Sequence, residues 1–269
     1  MTAPTDARAL RIEALSKTFG GKAPVAVFDG FSLDVRAGEF LSIVGPSGCG
    51  KSTLLQVVAG LIPATSGRVL LGGTDVTGEP AHMVYLFQQY SKSLLPWMTA
   101  EDNVIFGFNH RLQLARPQAL ERAREHLAMV GLADSATVYP WQLSGGMQQR
   151  VAIARALSAD PKVLLMDEPF SSVDALTRME LHALISELWE RKRFTTILVT
   201  HDVDEAIFLS DRIALLTRRP ATIAELVETE LARPRRAVET HEDPRFLTLR
   251  HTLLEGLLRR PDEADAAVR

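Results

Sequence analysis

Eight consecutive residues, Gly45-Pro46-Ser47-Gly48-Cys49-Gly50-Lys51-Ser52, have the spacing G-x-x-x-x-G-K-[ST]. These residue types suit a polyphosphate. Glycines let the backbone curl so that successive N–H groups face one centre, and a helix that starts there adds its positive dipole end. Lys51 supplies a point charge for the β/γ-phosphates, and the Ser52 hydroxyl can ligate Mg²⁺. A chain of this length matches the pattern by accident roughly once in a hundred, given average Gly and Lys usage. Cys49 lends its backbone to the loop at a variable position, so its thiol reads as a bystander rather than a nucleophile.

A second constellation is Val163-Leu164-Leu165-Met166-Asp167-Glu168, an apolar run that ends in two acids. Alone it is a weak signal, because strand ends often carry an acid for solubility. Beside a phosphate loop it becomes the other half of a hydrolytic site. Asp167 can hold Mg²⁺ directly or through water. Glu168 can polarise a water against the γ-phosphate, which is general-base work. Shortly before it stands Leu143-Ser144-Gly145-Gly146-Met147-Gln148-Gln149-Arg150. Ser144 can cap a helix there, and Gly145 and Gly146 leave N–H groups open at its start. By itself this is an ordinary capped helix.

The elements that must position these groups alternate in type. Arg11 to Val35 carries short apolar segments broken at Gly20-Gly21 and Asp29-Gly30, which predicts antiparallel strands. Phe40 to Val44 reads as a strand, the Gly-rich loop as a turn, and Ser52 to Ala59 as a helix. Gln118 to Val130 has Leu120, Ala123, Leu127 and Val130 at helical spacing, and Met147 to Leu157 is also helical. Val163 to Met166 and Thr196 to Thr200 read as strands with a helix, Ala175 to Arg191, between them. The fold class expected is α/β, with residues 1–90 and 159–220 as the core and 91–158 as an inserted helical subdomain. Residues 221–269 make a C-terminal tail. It holds Arg233-Pro234-Arg235-Arg236, which reads as a solvated segment, and a helix over Pro244 to Leu258.

A phosphate loop, then LSGGMQQR, then VLLMDEP, in that order, resembles the ATP-binding cassette (ABC) ATPases over residues from about 10 to 220. The usual LSGGQ core appears here as LSGGM followed by Gln148. The resemblance implies a P-loop core of the ABC type with an antiparallel β subdomain. It implies ATP and Mg²⁺ as cofactors, and nucleotide contacts from Gly45, Pro46, Ser47, Gly48, Cys49, Gly50, Lys51, Ser52 and Thr53. Phe19 matches the aromatic that stacks on adenine; otherwise it is a core Phe on an edge strand. Gln88 matches the glutamine that senses Mg²⁺ and water and links to the membrane partner. Asp174 matches the loop that crosses between two copies, and it can cap a helix as well. His201 matches the histidine that contacts the γ-phosphate, and Glu168 the catalytic base. Metal contacts fall to Ser52, Gln88 and Asp167. The family geometry further implies a homodimer, with Ser144, Gly145 and Gly146 of one chain closing over ATP held by the other.

The run from Phe87 to Thr99, with Tyr90-Ser91-Lys92-Ser93 and Leu94-Leu95-Pro96-Trp97, resembles import ATPases of the nitrate, sulfonate and taurine group, as do Arg219-Pro220 and Arg233-Pro234-Arg235. Polytopic permease subunits and, indirectly, an extracytoplasmic solute-binding protein are the implied partners. Trp97 is then either core of the helical lobe or part of an apolar platform for the permease.

Composition agrees with a globular protein: 269 residues, 46% hydrophobic and 23% charged. No apolar run approaches the roughly 20 residues of a spanning helix. Met1-Thr2-Ala3-Pro4-Thr5-Asp6 lacks a basic-then-apolar leader, so composition alone leads to the expectation of a soluble cytoplasmic protein, and the resemblance implies one peripheral to the cytoplasmic face of the membrane. With one cysteine, neither an internal disulfide nor a Cys-based metal cluster can form. A net charge of -3 disfavours a nucleic-acid partner, and hence a soluble ABC protein acting on nucleic acid or ribosomes. A P-loop kinase would leave LSGGM and His201 unexplained.

Overall fold

The computed structural model describes residues 8–21, 23–89 and 93–258. Met1 to Asp6, and Tyr90, Ser91 and Lys92 of the import-group run, lie outside them. In chain order the elements are β1 (Arg8–Phe19), β2 (Val25–Arg36), β3 (Phe40–Val44), α1 (Lys51–Val58), β4 (Ser66–Leu71), β5 (Thr74–Asp75), β6 (Met83–Leu86), α2 (Ala100–Leu112), α3 (Arg116–Met129), α4 (Gly145–Ser158), β7 (Val163–Asp167), α5 (Ala175–Lys192), β8 (Thr195–Thr200), α6 (Val203–Leu209), β9 (Arg212–Leu216), β10 (Ile223–Glu228) and α7 (Pro244–Leu258). They group into two compact units, one within residues 1–78 and 198–269, the other 79–197. Among the described residues no helix is long and apolar enough to cross a membrane.

In the first unit β2, β1, β4 and β5 form an antiparallel sheet. Part of β2 alternates as a strand buried on one face does: Phe31, Leu33 and Val35 are buried, and Ser32, Asp34 and Arg36 between them are not. β3 and β9 are parallel, with Val44 opposite Leu215, and both are buried along their whole length. That explains their nearly continuous apolar sequences, Ser42 and Arg212 apart, since a parallel strand is covered on both faces. β10 is an antiparallel edge, and its mixed sequence hid it from periodicity.

In the second unit β6 and β7 are parallel, with Leu86 opposite Met166. α2, α3 and α4 pack on one another. α3 buries Ala123 and Leu127, with Val130 just past its end, as the spacing predicts; Leu120 is only half-buried, and Ala119 and His126 are buried in addition. α2 was illegible in the sequence because its buried side carries Glu101 and Asn103 among Ala100, Val104 and Phe108. Gly107 lies in its middle because α4 crosses there: a Cβ would come within 2.7 Å of the Arg155 carbonyl oxygen.

The tail corrects one expectation. Arg233 and Arg235 are not solvated. Arg235 donates to the carbonyls of Ile207 (2.9 Å) and Phe208 (2.8 Å) and to Thr229 Oγ1 (3.0 Å), and Arg233 donates to the Leu209 carbonyl (2.8 Å) and pairs with Asp211. These are the last carbonyls of α6, which lack partners within the helix. His241 stacks on Phe208 and contacts Phe246 of α7.

Candidate functional site

In the first unit the phosphate loop leaves the carboxyl end of β3 and enters α1. Gly48 and Gly50 have φ of +75° and +116°, the left-handed region that only glycine enters freely. Gly50 has a second reason: a Cβ there would lie 2.1 Å from Val27 Cγ1. The start of α1 has neither a side-chain cap nor an acid in its first turn, so its dipole is left for an external anion. Lys51, only 5% exposed, donates from Nζ to the carbonyls of Gly45 (2.8 Å) and Pro46 (3.2 Å). Ser47 and Gly48 are exposed, and Ser52 and Thr53 are half-buried behind them. Burial pushes the Cys49 thiol up from its ordinary value, which keeps it protonated and suits a bystander.

Phe19 closes β1 opposite Val25. It is 46% exposed, with Lys17 Nζ 4.9 Å from its ring centre, so the core alternative fails. His201 follows β8 and is exposed. Its loop is braced on both sides: the Thr200 hydroxyl donates to Glu205 (2.5 Å), and Asp202 caps α6 by accepting from the Glu205 N–H (3.1 Å).

In the second unit the end of β7 holds the acids. Asp167 is buried and accepts a hydrogen bond from the Tyr85 hydroxyl at 2.8 Å. Glu168 is half-buried, sits at φ +44°, and accepts from Gln88 Nε2 at 3.2 Å. A non-glycine residue there carries backbone strain of order 1 kcal/mol or more, a feature that clusters at working sites. Ser144 caps α4 by accepting from the Met147 N–H (3.3 Å), and is exposed with Gly145. Gly146 abuts α5, where a Cβ would lie 2.4 Å from Thr177 Cγ2. Asp174 caps α5; the Thr177 N–H holds its carboxyl below the usual range. The structure thus brings Gln88 to Glu168, and the start of α4 to the start of α5.

Sequence reasoning missed three supports. Tyr85 gave no motif signal. Gln149, inside the LSGGM helix, is buried and donates to the Pro169 carbonyl just past Glu168. Asn103 donates to the carbonyls of Leu95, Met98 and Thr99. It pins the Leu95–Thr99 turn, which buries Leu94 and leaves Trp97 70% exposed. The core alternative for Trp97 is therefore wrong.

The oxygen donors suit Mg²⁺, a hard cation that takes few protein ligands and completes its shell with water and phosphate. Asp167 is the buried carboxylate that a cation would neutralise. Among the described residues no group of three or more His, Cys, Asp or Glu is placed to hold a metal ion.

The ABC transporter family profile matches residues 28–171. A bicarbonate transport ATP-binding protein of Synechocystis sp. is 42% identical, over 96% of this chain and 92% of its own. A nitrate import ATP-binding protein of Synechococcus elongatus is 43% identical, over 93% and 92%. An aliphatic sulfonates import ATP-binding protein of Bacillus licheniformis is 41% identical, over 91% and 93%. A dimeric ATP-binding cassette in a post-hydrolysis state, bound to ADP and phosphate, superposes with a TM-score of 0.71 and 32% identity, over 81% of this chain and 98% of that one.

Proposed function

The chain belongs to the ABC transporter family as an ATP-hydrolysing, transport-coupled subunit, and from that membership we propose how its residues divide the work. Two copies enclose two ATP molecules. In each, the loop Gly45 to Lys51 cradles the phosphates and Phe19 stacks on the adenine. The start of α4, with Ser144, Gly145 and Gly146, closes over the nucleotide of the partner copy, and Asp174 lies on the crossing loop. Mg²⁺, held by Ser52, Asp167 and Gln88 with water and phosphate, would neutralise charge on the β/γ-phosphates. Glu168 takes a proton from the attacking water, and His201 contacts the γ-phosphate.

The helical subdomain, residues 91–158, presents the exposed Trp97 to a permease. The protein would then sit on the cytoplasmic face of the membrane and serve, through that permease, a solute-binding protein. The relatives' names point to a small anionic solute of the nitrate, bicarbonate or sulfonate kind.

The observation that carries this reading is the Gln88–Glu168 hydrogen bond, which joins the expected sensor to the expected base. Its test is Glu168→Gln. The amide keeps the shape and loses the base, so turnover should fall roughly 10²–10⁴-fold while ATP still binds. With Mg-ATP, size-exclusion chromatography should then report twice the monomer mass. A monomer that binds ATP normally would overturn the two-copy arrangement.

A further inference from the structure

The end of β6 offers one donor to each acid at the end of β7. Gln88 donates to Glu168 at 3.2 Å, and Tyr85 donates to Asp167 at 2.8 Å. The family resemblance accounts for Gln88 and is silent on Tyr85. The parallel register sets Leu86 opposite Met166, so one further step sets Phe87 opposite Asp167. Residues two apart share a face of a strand, which places Tyr85, Phe87 and Asp167 on one face. The Tyr85 and Phe87 rings are 4.5 Å apart. The phenol is therefore steered along its strand toward Asp167 by a ring contact. The phenol hydroxyl is the donor and the carboxyl oxygen the acceptor.

A buried carboxylate must be oriented if it is to present its oxygens to a cation. We propose that Tyr85 is a positioning residue for the divalent cation: its hydroxyl fixes the rotation of the Asp167 carboxylate and so sets how tightly the metal that accompanies ATP is held. Loss of a hydrogen bond that orients a metal ligand typically weakens metal affinity about 10–100-fold. The neutral phenol does this work without adding charge that would compete with the cation.

The inference rests on Asp167 as a metal-side carboxylate, and the experiment separates the two claims. Mn²⁺ affinity would be measured by electron paramagnetic resonance, with saturating ADP, for wild type, Tyr85→Phe and Asp167→Asn. ADP affinity without divalent cation and thermal melting would be followed alongside. Tyr85→Phe should weaken Mn²⁺ binding about tenfold, leave metal-free ADP affinity unchanged, and melt near wild type. Wild-type Mn²⁺ affinity in Tyr85→Phe, with weakened affinity in Asp167→Asn, would overturn the role of Tyr85 alone. Wild-type affinity in both would overturn the assignment of Asp167 as well. A lower melting temperature with intact Mn²⁺ affinity would make the hydroxyl purely structural and also overturn the proposal.

Discussion

Lys51 and Arg235 are both 5% exposed, and both satisfy their donors largely with backbone carbonyls. They sit at opposite poles of their helices. Lys51 is the first residue of α1, where the dipole is positive and repels a cation. Arg235 reaches the last carbonyls of α6, where the dipole is negative and attracts one. The flat fork of Arg235 spans two carbonyls and a hydroxyl at once, whereas the point charge of Lys51 is held by its own loop. Similar burial therefore serves different ends. One cation is the one proposed to meet a phosphate, and the other locks a helix.

The comparison makes its strongest claim at Lys51. Lys51→Ala should abolish measurable hydrolysis by weakening phosphate binding; a lost electrostatic stabiliser of this kind costs roughly 10²–10³-fold or more. Its melting temperature should fall less than that of Arg235→Ala, because the lost bonds to the Gly45 and Pro46 carbonyls are partly offset by removing a cation from the positive end of a dipole, worth about 0.3–1 kcal/mol. Nucleotide affinity, turnover and melting measured together check this. Unchanged turnover would sink the assignment of the loop.

Arg235→Ala should do the reverse. It leaves buried carbonyls of α6 without their donor, at about 1–3 kcal/mol for each group, and the melting temperature should fall clearly. ATP affinity should not change, since Arg235 lies in the tail and the proposed phosphate contacts lie in the loop from Gly45 to Thr53. If ATP affinity dropped and stability held, the two cations would have exchanged roles and the comparison would be broken.

The same contrast explains what could be read from the sequence. The loop from Gly45 to Ser52 was legible because its chemistry is local: the glycines, the lysine and the helix start all lie within one short segment. The strands Phe40–Val44 and Val163–Asp167 were legible because full burial leaves mostly apolar runs, with Ser42 and the terminal Asp167 as the exceptions. Arg235 was misread as solvated because its partners, Ile207, Phe208 and Thr229, are distant or unremarkable in sequence, and nothing local marks a buried arginine. Tyr85 escaped for the same reason, since its acceptor is 82 residues away. α2 escaped because Asn103 and Glu101 occupy its buried face.

A residue with little burial supplies the control for both cations, and Trp97 is that residue. It projects from the turn that Asn103 pins, and most of its surface faces solvent. Surface substitutions away from caps and networks usually stay within about ±0.5 kcal/mol. Trp97→Ala should therefore leave the melting temperature and ATP affinity of the isolated subunit almost unchanged, the smallest effect of the series. An exposed tryptophan is instead a strong candidate for an anchor, because aromatic anchors carry much of the energy of an interface. Pull-down with the permease should be weakened, and solute-stimulated hydrolysis should fall with it. A large drop in melting temperature with normal permease binding would show that the turn depends on the indole for its own packing, and would remove Trp97 from the docking surface.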